Sequence, residues 1–113
     1  MTISKLNLIN TTKQTVLRSL SNGSTIALSV DGSALNVQAE VGGTVGSVAF
    51  ILDGKLVRTE NGAPFALAGD NGGVYLKWTP VVGSHTLRAV AYSGDDRTGS
   101  TGATYEVGFT VKN

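Results

Sequence analysis

The chain contains no cysteine, which excludes disulfides and thiolate metal ligands and leaves stability to packing alone. It has one histidine, so any imidazole-dependent triad or metal site rests on His85. Charged residues make up only 15% of the chain, and nine basic against eight acidic residues leave a net charge of +1. The basic residues Lys5, Lys13, Arg18, Lys55, Arg58, Lys77, Arg88, Arg97 and Lys112 stand singly, without the clustered stripe that marks a nucleic-acid partner. No apolar run approaches the roughly 18 residues that a membrane-spanning helix requires. Met1–Asn10 likewise lacks the charged start and hydrophobic stretch of a secretory signal peptide. The two prolines and the 6% of aromatic residues leave few candidates for stacking platforms.

What the chain does have is glycine, 15 of them, with 41% hydrophobic residues over a length of 113. That length suits one domain, residues 1–113, with enough apolar content for its own core. Glycine-rich turns between stretches of Val, Ser and Thr favour short strands over helices. From the middle onward apolar residues recur with period two. Ser33–Val41 puts Leu35, Val37 and Ala39 on one face, and Ser47–Leu52 does the same with Val48, Phe50 and Leu52. Asp53-Gly54 between apolar runs is a two-residue hairpin signal into Lys55-Leu56-Val57. Phe65–Leu67 reads as a short D strand, Gly69–Gly73 as a loop, and Val74, Leu76 and Trp78 as the inward face of strand E, ended by Pro80. Ser84–Tyr92 (Leu87, Ala89, Ala91) and Tyr105–Val111 read as strands F and G. Ile3–Ile9, Val16–Leu20 and Thr25–Val30 are candidate strands supplying strand A in pieces. The expected architecture is all-β: an immunoglobulin-like β-sandwich of two antiparallel sheets, about seven to nine strands, with Val37, Phe50, Leu76, Trp78, Leu87, Ala89, Val107 and Phe109 in one core.

Several blocks occur in order: Val45-Gly46-Ser47-Val48-Ala49-Phe50, the hairpin into Arg58-Thr59-Glu60-Asn61, Ala63-Pro64-Phe65-Ala66-Leu67-Ala68-Gly69-Asp70, Trp78-Thr79-Pro80 and Gly83-Ser84-His85-Thr86-Leu87. Together, from about Leu8 to the C-terminus, they resemble a family of bacterial immunoglobulin-like modules found in large secreted or cell-surface multidomain proteins. The resemblance implies a non-catalytic structural, adhesive or protein-interaction unit, extracellular or on the cell surface. Its partners would be neighbouring domains or another protein, and the module itself a monomer or weakly self-associating.

The chemistry-bearing groups fit that expectation. His85 falls on the Leu87/Ala89 side at the start of strand F and reads as a cap on the core rim, with no Ser–His–carboxylate order around it. Gly42–Gly46 lacks the Lys-Ser/Thr ending and the following helix of a phosphate loop and reads as a turn. Asn10-Thr11-Thr12 and Asn22-Gly23-Ser24 match the glycosylation pattern and carry no functional weight in a bacterial module. Tyr75 and Tyr92 fall on the outward parity of strands E and F, at positions expected to approach one loop end. They form the site of an alternative reading, a carbohydrate-binding module with a polysaccharide ligand. Asp70 and Asn71 with Asp95 and Asp96 would converge at that same end as part of a calcium site, beside the plainer reading as turn formers. Ala49, Ile51, Val90 and Tyr92 form an apolar outward face on the C–F–G sheet, a candidate contact patch beside the alternative that loops cover it.

Overall fold

Turn chemistry and period-two patterning sort the chain into eleven strands. A computed structural model describes residues 1–113. The strands are β1 (Thr2–Asn10), β2 (Thr15–Leu20), β3 (Ser24–Ala27), β4 (Leu35–Gly42), β5 (Ser47–Leu52), β6 (Lys55–Glu60), β7 (Phe65–Ala66), β8 (Asp70–Asn71), β9 (Val74–Tyr75), β10 (Gly83–Tyr92) and β11 (Thr101–Lys112). A four-stranded sheet of order β2-β1-β4-β7 packs against a five-stranded sheet of order β3-β11-β10-β5-β6, and β8-β9 form a small separate hairpin. This is the expected immunoglobulin-like sandwich.

The core lies between the sheets. Leu6 and Leu8 from β1, Leu35, Val37 and Ala39 from β4, Val48 and Phe50 from β5, Leu87, Ala89 and Ala91 from β10, and Val107, Phe109 and Val111 from β11 are buried together. Each set alternates along its strand, so pairing any of these strands out of register would turn apolar side chains to water. The β5–β6 hairpin forms at Asp53-Gly54 with φ of 53° and 82°, the two positive values that a type I′ turn needs and that Gly54 supplies without strain.

Four sequence expectations need correction. First, Phe65–Leu67 is not strand D: β7 pairs with β4 (Ala39 with Phe65, Gln38 with Ala66) and so takes the place beside β4 that strand E was expected to fill. Second, no regular strand E follows: Trp78 only bridges to Leu35, and Val74 and Leu76 are exposed rather than inward. Trp78 is half-buried, packing at the core rim edge-on to Phe109 at a centroid distance of 6.5 Å. As part of the same change, Val74-Tyr75 pairs back on Asp70-Asn71, so the expected Gly69–Gly73 loop and the start of strand E together form the β8–β9 hairpin, turned at Gly72-Gly73. Third, Thr25–Val30 is strand only to Ala27 and then closes one helical turn, α1 (Leu28–Asp31), in which Val30 is exposed. Fourth, the second sheet is mixed, because β3 runs parallel to β11. The N-terminal segment does supply more than one strand, but β1 is a nine-residue strand inside its sheet, paired on both sides by β2 and β4.

The strand directions define two ends. The upper end carries the Gly43–Gly46 connection, residues 61–64 and residues 93–100; the lower end carries the turn at residues 11–14, α1, the β8–β9 hairpin and residues 77–82.

Candidate functional site

At the lower end the organising residue is Asn36, fully buried on the outer side of β4. Its Nδ2 donates to the carbonyls of Gly69 (3.1 Å) and Leu76 (2.9 Å), and its Oδ1 accepts from the N–H groups of Ala68 (2.9 Å) and Val37 (2.8 Å). The carboxamide thus uses its full capacity of two donors and two acceptor bonds, and it clasps both legs of the β8–β9 hairpin against the sheet. Gln14, at φ 56° in the β1–β2 turn, holds the hairpin from the other side. Its Nε2 donates to the Tyr75 carbonyl (3.0 Å) while its Oε1 accepts the Tyr75 N–H (2.7 Å), as a neighbouring strand's backbone would. Tyr75 is therefore half-buried, and its phenol pKa is raised by burial first and by the charge of Asp70 second. Asp70 accepts the Gly73 N–H (2.7 Å), which is turn chemistry.

His85 lies where alternation places it, stacked on Phe109 with ring centroids 5.4 Å apart. Nδ1 is 2.7 Å from Asp53 Oδ2, and Nε2 is 2.6 Å from the Val81 carbonyl oxygen. Both partners are acceptors, so the ring satisfies both only as the doubly protonated imidazolium. Burial pulls its pKa down, but the bonds to Asp53 and Val81 and the Asp53 charge outweigh this and raise it. Asp53 is held below the ordinary carboxylate range by the His85 bond first and the Thr86 N–H second. With both nitrogens engaged, His85 fastens the β5–β6 turn and the segment before β10 to the core rim and has no free nitrogen for acid–base work.

At the upper end the loop after β10 folds over the first residue of β5. Ser47 Oγ donates to the Gly94 carbonyl (2.6 Å) and accepts the Arg97 N–H (3.0 Å). Asn61 and Asp96 pair reciprocally: Asn61 Nδ2 donates to Asp96 Oδ1 (2.8 Å), and the Asp96 N–H donates to Asn61 Oδ1 (2.8 Å).

These placements decide the expected sites. Asp70 and Asn71 lie on the hairpin that Asn36 clasps, whereas Asp95 and Asp96 lie on the loop held by Ser47 and Asn61, beyond the other end of β4. The six residue-to-residue steps from Asn36 to Gly42 alone span about 20 Å of strand. The four oxygen-bearing side chains do not converge, and they build no calcium site. Tyr75 and Tyr92 part in the same way, one at each end, so they share no sugar platform. The outward patch is also altered, because Ala49 and Val90 are 1% and 7% exposed within the chain itself, and only Ile51 and Tyr92 remain half-exposed. Register places Ala49 between Thr59 and Val90, where larger neighbours shield a methyl side chain, while the loop that engages Ser47 covers the top of the face.

Sequence reasoning missed the two ion pairs that close the open flanks of the sandwich. Arg18 stands opposite the inward-facing Leu8 and reaches Asp31 with both terminal nitrogens at 2.9 Å. The bond raises the Arg18 pKa and lowers that of Asp31. On the other flank Arg58 and Glu60 stand opposite Phe50 and Val48. Arg58 Nε lies 3.1 Å from Glu60 Oε2 without hydrogen-bond alignment, and its guanidinium lies against Gly69, where a Cβ would collide with it. A charged residue on the inward parity of an edge strand was the available signal.

No family profile matches the chain, and no curated protein matches it. Among solved structures it is similar to fibronectin(III)-like modules of CbhA from Clostridium thermocellum. The identity is 24% over 81% of this chain and 87% of that one, with a TM-score of 0.52. The likeness concerns the fold, a two-sheet module of the immunoglobulin-like type.

Proposed function

We propose that residues 1–113 act as one non-catalytic module, a structural spacer or adhesive, protein-interaction unit of a secreted or cell-surface bacterial protein. The observation that carries this reading is the path of the chain. Met1 lies at the upper end against Gly43 and Gly102, β11 leaves at the lower end, and the body between them is 41 Å long. A module entered at one end and left at the other adds its length to whatever it links. In support, no cavity suited to enclosing a small molecule opens on the surface, and the single imidazole is consumed by two structural bonds. The secreted setting rests on the resemblance to bacterial immunoglobulin-like modules.

The test is small-angle scattering from one copy and from two copies fused head to tail. The reading expects the maximum dimension to grow by nearly the 41 Å of one module; a fused pair that folds back to the length of one copy refutes it. The carbohydrate-binding alternative has lost its paired tyrosines, and a glycan-array signal abolished by Tyr92→Ala would restore it.

A further inference from the structure

We propose that the lower end of the sandwich is a docking face for a bilayer containing anionic lipid. Register brings the relevant segments together. Ala27 pairs with Lys112 and Gly83 with Val111, so α1 and residues 79–82 leave the same end of three adjacent strands, β3, β11 and β10. Apolar side chains stand out among those presented there: Val30 is 82% exposed, Val81 73% and Val82 50%, with Val74 and Leu76 of the hairpin region also exposed. None of the exposed large hydrophobic residues belongs to the upper-end loops; the others, Val16, Leu17, Leu56 and Val57, lie along the edge strands β2 and β6.

Charge singles out the same end. Lys13, Lys77 and Lys112 are exposed there and engage in no ion pair. Of the nearby carboxylates, Asp31 is paired with Arg18 and Asp53 with His85, while Asp70, bonded to the Gly73 N–H, keeps its charge and leaves the three lysines in excess. Free positive charge around exposed valines matches an anionic bilayer on both counts, since lysines meet headgroups while apolar side chains enter the acyl boundary. A polyanionic chain would take the lysines and leave the valines in water. A second copy would bring lysines against lysines end to end, or valines against the polar residues 93–100 head to tail. The face is also pre-ordered, because the Val81 carbonyl is pinned to His85 Nε2 at 2.6 Å, which lowers the entropy lost on docking.

The test is flotation of the chain with vesicles of mixed phosphatidylglycerol and phosphatidylcholine, against vesicles of phosphatidylcholine alone. Binding is expected only to the former and should weaken with added salt. Reversing Lys77 and Lys112 together (Lys77→Glu, Lys112→Glu) should weaken it at least about fivefold per lysine. Val81→Asp with Val82→Asp should abolish it with the Trp78 near-ultraviolet signal retained, and Val57→Asp, a comparably exposed apolar site in the middle of the edge strand β6, should leave it intact. Equal binding to both vesicle types, no binding to either, or binding that survives the Val81/Val82 change overturns the proposal. So does concentration-dependent self-association, without lipid, that those valine changes remove.

Discussion

Replacing Asn36 by aspartate tests whether one buried carboxamide holds the β8–β9 hairpin to the sheet. The change keeps size and shape but turns Nδ2, which donates to Gly69 and Leu76 at 3.1 and 2.9 Å, into an oxygen facing two carbonyl oxygens. Two buried hydrogen bonds disappear and an uncompensated carboxylate takes their place, a loss of about 3–5 kcal/mol at neutral pH. For a chain of this size that lowers Tm by roughly 10–20 °C. The pH dependence separates this mechanism from simple damage. The introduced carboxylate, buried beside carbonyls, has a folded pKa above its unfolded value, so the deficit is greatest above that folded pKa. It shrinks as pH falls, because protonation restores one O–H donor worth about 1–2 kcal/mol. Asn36→Leu removes all four side-chain bonds, with only the Gly69 carbonyl keeping another partner in the Leu76 N–H, and should be similarly unstable with no such relief. The assay is urea denaturation followed by Trp78 fluorescence for wild type and both variants, near neutrality and near pH 4.5. A deficit for Asn36→Asp below about 1 kcal/mol, or one unchanged by acid, would falsify the assignment.

Three further outcomes follow from the same geometry. Phe50→Ala, at a fully buried position between the sheets, should cost about 3–5 kcal/mol in chemical denaturation. Gly54→Ala should cost about 1 kcal/mol, read as a fall in denaturation midpoint, because φ is 82° there. For His85 the folded pKa is raised above the ordinary 6.5, so its contribution is fully present below 6.5 and is lost as pH rises through the folded value. Asp53, with its pKa lowered from 3.8, contributes above 3.8 and loses this as pH falls through its folded value. Wild-type stability should therefore decline on the alkaline side of 6.5, and His85→Gln should flatten that limb; an unchanged slope would show that His85 is not its source.

Much of the core was legible because alternation is a direct record of burial. Val37, Phe50, Leu87, Ala89, Val107 and Phe109 each stand on the apolar parity of a long strand, and each is buried. Asp53-Gly54 was legible because few residue pairs tolerate two positive φ values. What could not be read was Asn36. Its parity is outward, and outward asparagine is ordinarily a solvated residue; only the hairpin that folds back over β4 buries it, and that hairpin comes from residues more than thirty positions later. Gln14 escaped for the same reason, since Tyr75 lies 61 positions on, whereas Arg18 lies only 13 positions from Asp31 and its inward parity was the signal that went unread.

The expected sites failed through one assignment rather than several. In a sandwich of antiparallel strands each connection reverses the chain, so a strand labelled one place early moves the loop that directly follows it to the opposite end. Taking Phe65–Leu67 as strand D put Asp70, Asn71 and Tyr75 at the upper end with Asp95, Asp96 and Tyr92. Because β7 in fact pairs with β4 and runs toward Leu35, they emerge at the lower end. Period two cannot correct such an error, since Phe65-Ala66-Leu67 and Val74-Tyr75-Leu76 alternate equally well. The distinction lies in what each segment faces: Phe65 and Leu67 reach the core, whereas Val74 and Leu76 look away from it, beside Lys77 and on the same end as Val81 and Val82. The residues that broke the expected alternation thus belong to the face from which a partner is inferred. Converting Leu76 to aspartate should on that account cost little stability, within about 0.5 kcal/mol, and yet weaken vesicle binding.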